Sequence, residues 1–162
     1  MRRVIVNSTP LIVLCNVGRL EILRTLYTEI TIPEAVFAEV TKKEDSACQI
    51  VKNSLDWIRV ERILSPSDKK MYQAKLHDGE VEVMILAQEG VRADLVILDD
   101  NAAKKTAKYL GLTVTGTLGI LLKAKKAGII PVIAPVLEAI KKNGFYISET
   151  VERIVLEEAG EL

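Results

Sequence analysis

Residues 95–105 read LVILDDNAAKK, and the fold follows from how that stretch changes character. Leu95 to Leu98 is an uninterrupted apolar run, the pattern of a strand buried on both faces of a parallel sheet. Two adjacent carboxylates, Asp99 and Asp100, end it, and from Asn101 an Ala/Lys-rich segment predicts a helix as far as Tyr109. Buried strand, polar turn and helix form the repeating unit of an α/β fold. Ligands of open α/β sheets gather outside the carboxyl ends of the strands. Residues 95–98 are accordingly taken as the central strand, with the functional site at its end.

Working outward, the same unit recurs. Residues 4–6 predict a strand ending in Asn7-Ser8-Thr9, with Thr9 capping a helix and Pro10 in its first position. Residues 30–32 predict a second strand, and Pro33 opens the helix EAVFAEV; residues 57–60 suit an edge strand. Ser65-Pro66-Ser67 marks the start of a helix over 68–76. After the His77-Asp78-Gly79 turn, Asp78 is expected to cap a helix over 80–89. A short strand at 112–114 leads through Thr115-Gly116-Thr117 into a helix closed by Gly128, and helices at 135–142 and after Ser148 complete the chain. The alternation predicts an α/β protein with a mostly parallel central sheet flanked by helices. All 162 residues suit one domain, with an appended helical region from about 130 to 162.

Composition narrows the chemistry. Lysine plus arginine equals aspartate plus glutamate at 22 each, so no global field draws the chain to nucleic acid and any basic surface must be local. The two cysteines, Cys15 and Cys48, have no metal-ligand spacing. The opening MRRVIVNSTPLIVL has a signal-like start, but Asn7, Ser8 and Pro10 interrupt it and no small-residue cleavage site follows. No window is long and apolar enough to span a bilayer, so no membrane association is expected, and the chain reads as cytoplasmic.

Right-handed crossovers place the ends of parallel strands on one sheet edge. Asn7-Ser8-Thr9, Asp99-Asp100-Asn101 and Thr115-Gly116-Thr117 should therefore converge, joined by Glu80 from a helix start and Glu39 from a helix end. Two carboxylates ~4 Å apart repel by about 4 kcal/mol at an effective dielectric near 20. Either some protonate or a hard dication binds, and oxygen donors without thiolate favour Mg²⁺ or Mn²⁺ over zinc. Such a site suits in-line displacement at phosphorus. The candidate catalytic residues are Glu39, Glu80, Asp99 and Asp100, and the candidate metal ligands are Asn7, Glu80, Asp99 and Asp100. Ser8, Thr9, Glu82, Thr115 and Thr117 are candidate supports. Glu80 and Glu82 lie two apart and point in roughly opposite directions, so Glu80 alone is expected to face the site. The plainer alternative makes each of these acids a helix cap or a solvated helix residue, which explains one of Asp99 and Asp100 well and the other poorly.

At these residues the chain resembles the PIN-domain family, through VNSTPLIVL at 6–14, IPEAVFAEV at 32–40, DGEVEVMILA at 78–87, VILDDNAAKKTAKYLGL at 96–112 and VTGTLGILLKAK at 114–125. The resemblance implies a three-layer PIN-like fold and Mg²⁺- or Mn²⁺-dependent cleavage of single-stranded RNA. It also implies homodimerisation and, for toxin members, a small antitoxin protein as partner. Lys104, Lys105 and Lys123, on helices that follow two of the site strands, are then candidate RNA contacts. One departure bears on activity: the family's nucleases usually carry aspartate where this chain has Asn7, which removes a full negative charge from the dication site. The alternative reading is a catalytically weakened PIN-like module that binds RNA or a protein partner without cleavage. A phosphoacceptor receiver domain, suggested by ILDD, ranks last because the first strand ends in Asn7 and no Lys-Pro occurs.

Overall fold

The computed structural model describes residues 2–72 and 76–162. Five strands, β1 (Val4–Val6), β2 (Ile30–Pro33), β3 (Ile58–Glu61), β4 (Leu95–Ile97) and β5 (Val114–Thr115), form one sheet in the order β3-β2-β1-β4-β5. Every neighbouring pair is parallel. The α/β architecture expected from the sequence is thus present, with one correction: β1, not β4, is the middle strand. Both are wholly apolar and buried because each lies inside a parallel sheet whose two faces are covered by helices, so composition cannot distinguish them.

Among the described residues the strands are joined by α1 (Ser8–Asn16), α2 (Glu21–Tyr27), α3 (Glu34–Val40), α4 (Ser46–Lys52), a 3-10 turn at Pro66–Met71, α5 (Asp78–Gln88) and α6 (Asn101–Tyr109). Beyond β5 follow α7 (Thr117–Lys126), α8 (Ala134–Lys142) and α9 (Glu149–Glu158). The helix expected over 68–76 is realised only as the 3-10 turn, and its residues 73–75 lie outside the described ones. No described helix is long and apolar enough to cross a membrane.

The strand order makes the site position inevitable. Chain progress runs from β1 outward to β2 and β3, then returns to the other side of β1 for β4 and β5. The carboxyl ends of β1 and β4 therefore flank the switch point, where a crevice opens in such sheets. The register sets Val6 opposite Ile97, and the Asn7 N–H continues the ladder by donating to the Ile97 carbonyl at 2.9 Å. That bond holds Asn7 extended, so α1 begins at Ser8 with Asn7 as its N-cap, two positions earlier than the Thr9 cap expected. The strand expected at 112–114 is shifted to Val114–Thr115 by its pairing with Val96 and Ile97.

α5 is buried all round, from Gly79 to Ala87, and its apolar residues join the central core with Ile5, Leu11, Ile32 and Leu98. A helix so enclosed must find partners for any charge it carries. At the carboxyl end of the chain, Glu161 accepts hydrogen bonds from the Ile133 and Ala134 N–H groups and pairs with Lys125 at 2.9 Å. It thereby satisfies the start of α8 and ties the tail to α7.

Two glycines of the TGTLG segment are fixed by crowding. A Cβ on Gly116 would lie 2.7 Å from Asp99 Oδ1 and 2.9 Å from Lys104 Nζ, and a Cβ on Gly119 would overlap the Thr115 hydroxyl. Alanine within a helix normally gains about 1 kcal/mol over glycine. At position 119 the overlap reverses the sign: Gly119→Ala is expected to destabilise by about 1–3 kcal/mol, as overpacking does. Adding Thr115→Ala should recover most of that loss in urea melts, and no recovery would place the strain elsewhere.

Candidate active site

β1 delivers Asn7 and Ser8 to the switch point, both buried. α5 brings its amino end against them: a Cβ on Gly79 would lie 3.6 Å from Asn7 Oδ1 and 3.7 Å from Ser8 Oγ. These are ordinary contact distances, so the start of α5 packs directly against both side chains. Ser8 Oγ is buried with no hydrogen-bond partner, and the Asn7 side chain makes no hydrogen bond among the described residues. Two oxygen donors thus stand at the crevice without a protein partner.

The next residue of α5 is Glu80, buried at 7% exposure. Its Oε1 accepts the His77 N–H at 2.9 Å, which makes His77 rather than Asp78 the N-cap residue of α5. Burial pushes the Glu80 carboxyl up from its ordinary value; the His77 N–H draws it back, and the charges of Asp100 and Glu39 push it up further. Carboxylates from α3 and from the β4–α6 turn therefore both act on the Glu80 carboxyl of α5. Asp100 is exposed, and its Oδ2 accepts the Ala103 N–H to cap α6. Glu39, also exposed, lines a shallow groove of about 430 Å³ with Ala35, Ala38, Lys42, His77 and Gly79.

Asp99 has a different position. Its Oδ1 accepts the Thr117 N–H at 2.8 Å and its Oδ2 the Thr117 hydroxyl at 2.7 Å, so both oxygens hold the start of α7. Lys104 Nζ lies over Gly116 beside it. The paired acids of the DD sequence thus face different neighbours, Asp100 toward Glu80 and Asp99 toward Thr117. Thr115 packs its hydroxyl against Gly119.

The remaining candidates differ in their surroundings. Glu82 is buried, but its Oε1 accepts the Ala35 N–H at 2.9 Å and its Oε2 pairs with Lys69 at 2.6 Å, joining α5 to the first turn of α3 and to the 3-10 turn. The two glutamates of α5 are thus unlike: Glu82 has a cation and an N–H, Glu80 one N–H and two like charges. Thr9 and Lys105 are exposed, and Lys123 reaches the Tyr27 hydroxyl at 3.4 Å. Sequence reading assigned no part to Gly79 or to the His77 backbone.

The donors suit a hard dication in kind, since Asn7, Ser8, Glu39, Glu80 and Asp100 all offer oxygen. Among the described residues, however, no three Asp, Glu, His or Cys side chains stand close enough to hold a metal ion by themselves. A bound ion would rely on the Asn7 amide oxygen and the unpartnered Ser8 hydroxyl to complete its ligands.

A family model described as a PIN domain matches residues 3–161. No curated protein sequence matches the chain.

Proposed function

Because this chain belongs to the PIN-domain family, a group of nuclease-like modules that generally depend on divalent metal and act on RNA or DNA, we propose that it is a Mg²⁺- or Mn²⁺-dependent endoribonuclease acting on single strands. The observation that carries this reading is Glu80: a buried carboxylate held by one N–H and acted on by the charges of Asp100 and Glu39, next in sequence to Gly79, which packs against the unpartnered Ser8 hydroxyl. A folded protein bears such like-charge crowding at a cost, and a cation in the pocket relieves it.

Asn7, Ser8, Glu80 and Asp100 would hold the ion, with Glu39 at the rim. When bound, a hard dication lowers the pKa of a coordinated water and offsets charge on a phosphodiester. The chain's own residues do the rest. Glu80 is kept in place by the His77 N–H on Oε1, which leaves its second oxygen free of any protein hydrogen bond among the described residues. Burial and the neighbouring charges raise its pKa in the metal-free protein, and a bound dication would favour the ionised form that ligates it. Asp100 is anchored through Oδ2 to the start of α6, leaving Oδ1 for the pocket. Asp99 holds the start of α7 and so fixes the wall on the β5 side. Cytoplasmic location, a homodimer and a small antitoxin partner belong to the same reading and are supported by the family resemblance.

The test is incubation of the purified protein with single-stranded RNA in Mn²⁺ or Mg²⁺, against Asp100→Asn. Cleavage is expected in the parent and a loss of about 100-fold or more in the variant. Equal cleavage by both, or none by the parent, removes the nuclease reading. A second reading, a module that binds without cutting, is favoured by Asn7 together with the lack of a three-acid cluster among the described residues.

A further inference from the structure

At the amino end of the sheet, opposite the acidic pocket, two cations converge on one ring. Arg2 lies just before β1 with its guanidinium 5.6 Å from the Tyr27 ring centroid, and Lys123 of α7 places Nζ at 5.9 Å from the same centroid. The ring is 6% exposed, so its neighbours hold it in place. Among the described residues neither Arg2 nor Lys123 has a carboxylate partner. The two carboxylates of the adjoining pocket, Glu29 and Glu61, are paired with Arg59 and Arg3.

Cation–π contact holds Arg2 to the ring, whereas Lys123 lies beyond the hydroxyl, near the ring plane, and neither charge is neutralised. Burial and the charge of Arg2 both lower the Lys123 pKa, so the two cations disfavour one another. Lys123 donates to the Tyr27 oxygen at 3.4 Å, and the phenol O–H has no acceptor among the described residues. Burial pushes the Tyr27 pKa up, against the pull of Arg2, so the hydroxyl keeps its proton. Two unpaired cations and a free O–H donor therefore meet at one place, the donor set for a tetrahedral oxyanion.

We propose that Arg2, Lys123 and the Tyr27 hydroxyl form a phosphate subsite that holds a backbone phosphate of a single strand bound at the acidic pocket. The six-residue step along α7 from Thr117, which Asp99 holds, to Lys123 amounts to about 9 Å of helix axis. A strand that leaves the pocket past the start of α7 has that distance to cover to reach Lys123. The identity of the ligand rests on the nuclease reading; the oxyanion chemistry does not.

Binding of a fluorescein-labelled single-stranded oligoribonucleotide, measured by anisotropy in EDTA across a salt series, tests this without any cleavage. Each lost phosphate contact on a single strand reduces the slope of log K against log salt by about 0.7. Arg2→Gln and Lys123→Gln should each show that reduction and the double variant about 1.4, while Lys123→Arg keeps the parent slope. Tyr27→Phe should weaken binding with the slope unchanged. An unaltered slope in the double variant overturns the assignment to the strand. Should inorganic phosphate then raise the melting temperature of the parent but not of the double variant, the same three groups serve a free phosphate instead. Because no metal is present, loss of cleavage with these slope changes intact sinks only the nuclease reading, and the converse sinks only the subsite.

Discussion

Asn7→Asp is expected to tighten Mn²⁺ binding by about 10- to 100-fold and to raise the cleavage rate with it. Asn7 Oδ1 stands at the switch point beside Gly79 and Ser8, so the substitution adds a carboxylate of nearly the same shape to the donor set. A unit charge ~4 Å from another gains about 4 kcal/mol at an effective dielectric near 20, and a dication doubles that. Desolvation of the new carboxylate and repulsion from Glu80 take back most of it, leaving the two or so kcal/mol that correspond to the stated range. The same repulsion makes a second observable. Without metal, the variant should be less stable than the parent at neutral pH, and saturating Mn²⁺ should restore it. Calorimetric titration alongside thermal melts with and without Mn²⁺ measures both. Unchanged affinity would mean that position 7 does not reach the ion, and Asn7 would then no longer favour the binding-without-cleavage reading; metal binding recovered only in the variant would support it.

Glu80→Gln is expected to remove cleavage, by about 100-fold or more, while stabilising the metal-free protein. The sign follows from the direction of the Glu80 shift. Its carboxyl titrates higher in the folded protein than in the unfolded chain, because of burial first and the Asp100 and Glu39 charges after. Its contribution to stability is therefore complete below the unfolded carboxylate value and is lost as pH rises through the folded one. Glutamine is neutral throughout and can still accept the His77 N–H. The variant should melt higher than the parent above that window, by about 2–4 °C, the size of a 1 kcal/mol change in a chain of this length, and equally below it. Thermal melts from about pH 4 to 8 check the crossover. A variant that melts lower at neutral pH would show that the ionised carboxylate is held by more than one N–H. Mn²⁺ should raise the midpoint of the parent more than that of the variant, which ties the stability cost to the ion site.

Much of this was legible in the sequence. The apolar runs at 4–6, 30–32 and 95–98, each ending in polar residues before a helix, determined a parallel α/β sheet with its strand ends on one edge. Asn7, Glu80 and Asp100 could be named as neighbours because strand direction and crossover hand place them there whatever their rotamers. Periodicity, glycine and proline act over a few residues, so they survive in the sequence. Tertiary structure alone decided which partner each polar group found. Asp99 turns to Thr117, 18 residues on, and Glu82 to Ala35, 47 residues back, while Asp100 and Glu80 remain at the pocket. Lys123 meets Tyr27 across 96 residues, at the sheet edge away from the acids. Those outcomes depend on which side chains packing brings within about 3 Å, the reach of a hydrogen bond, and no local pattern encodes that distance.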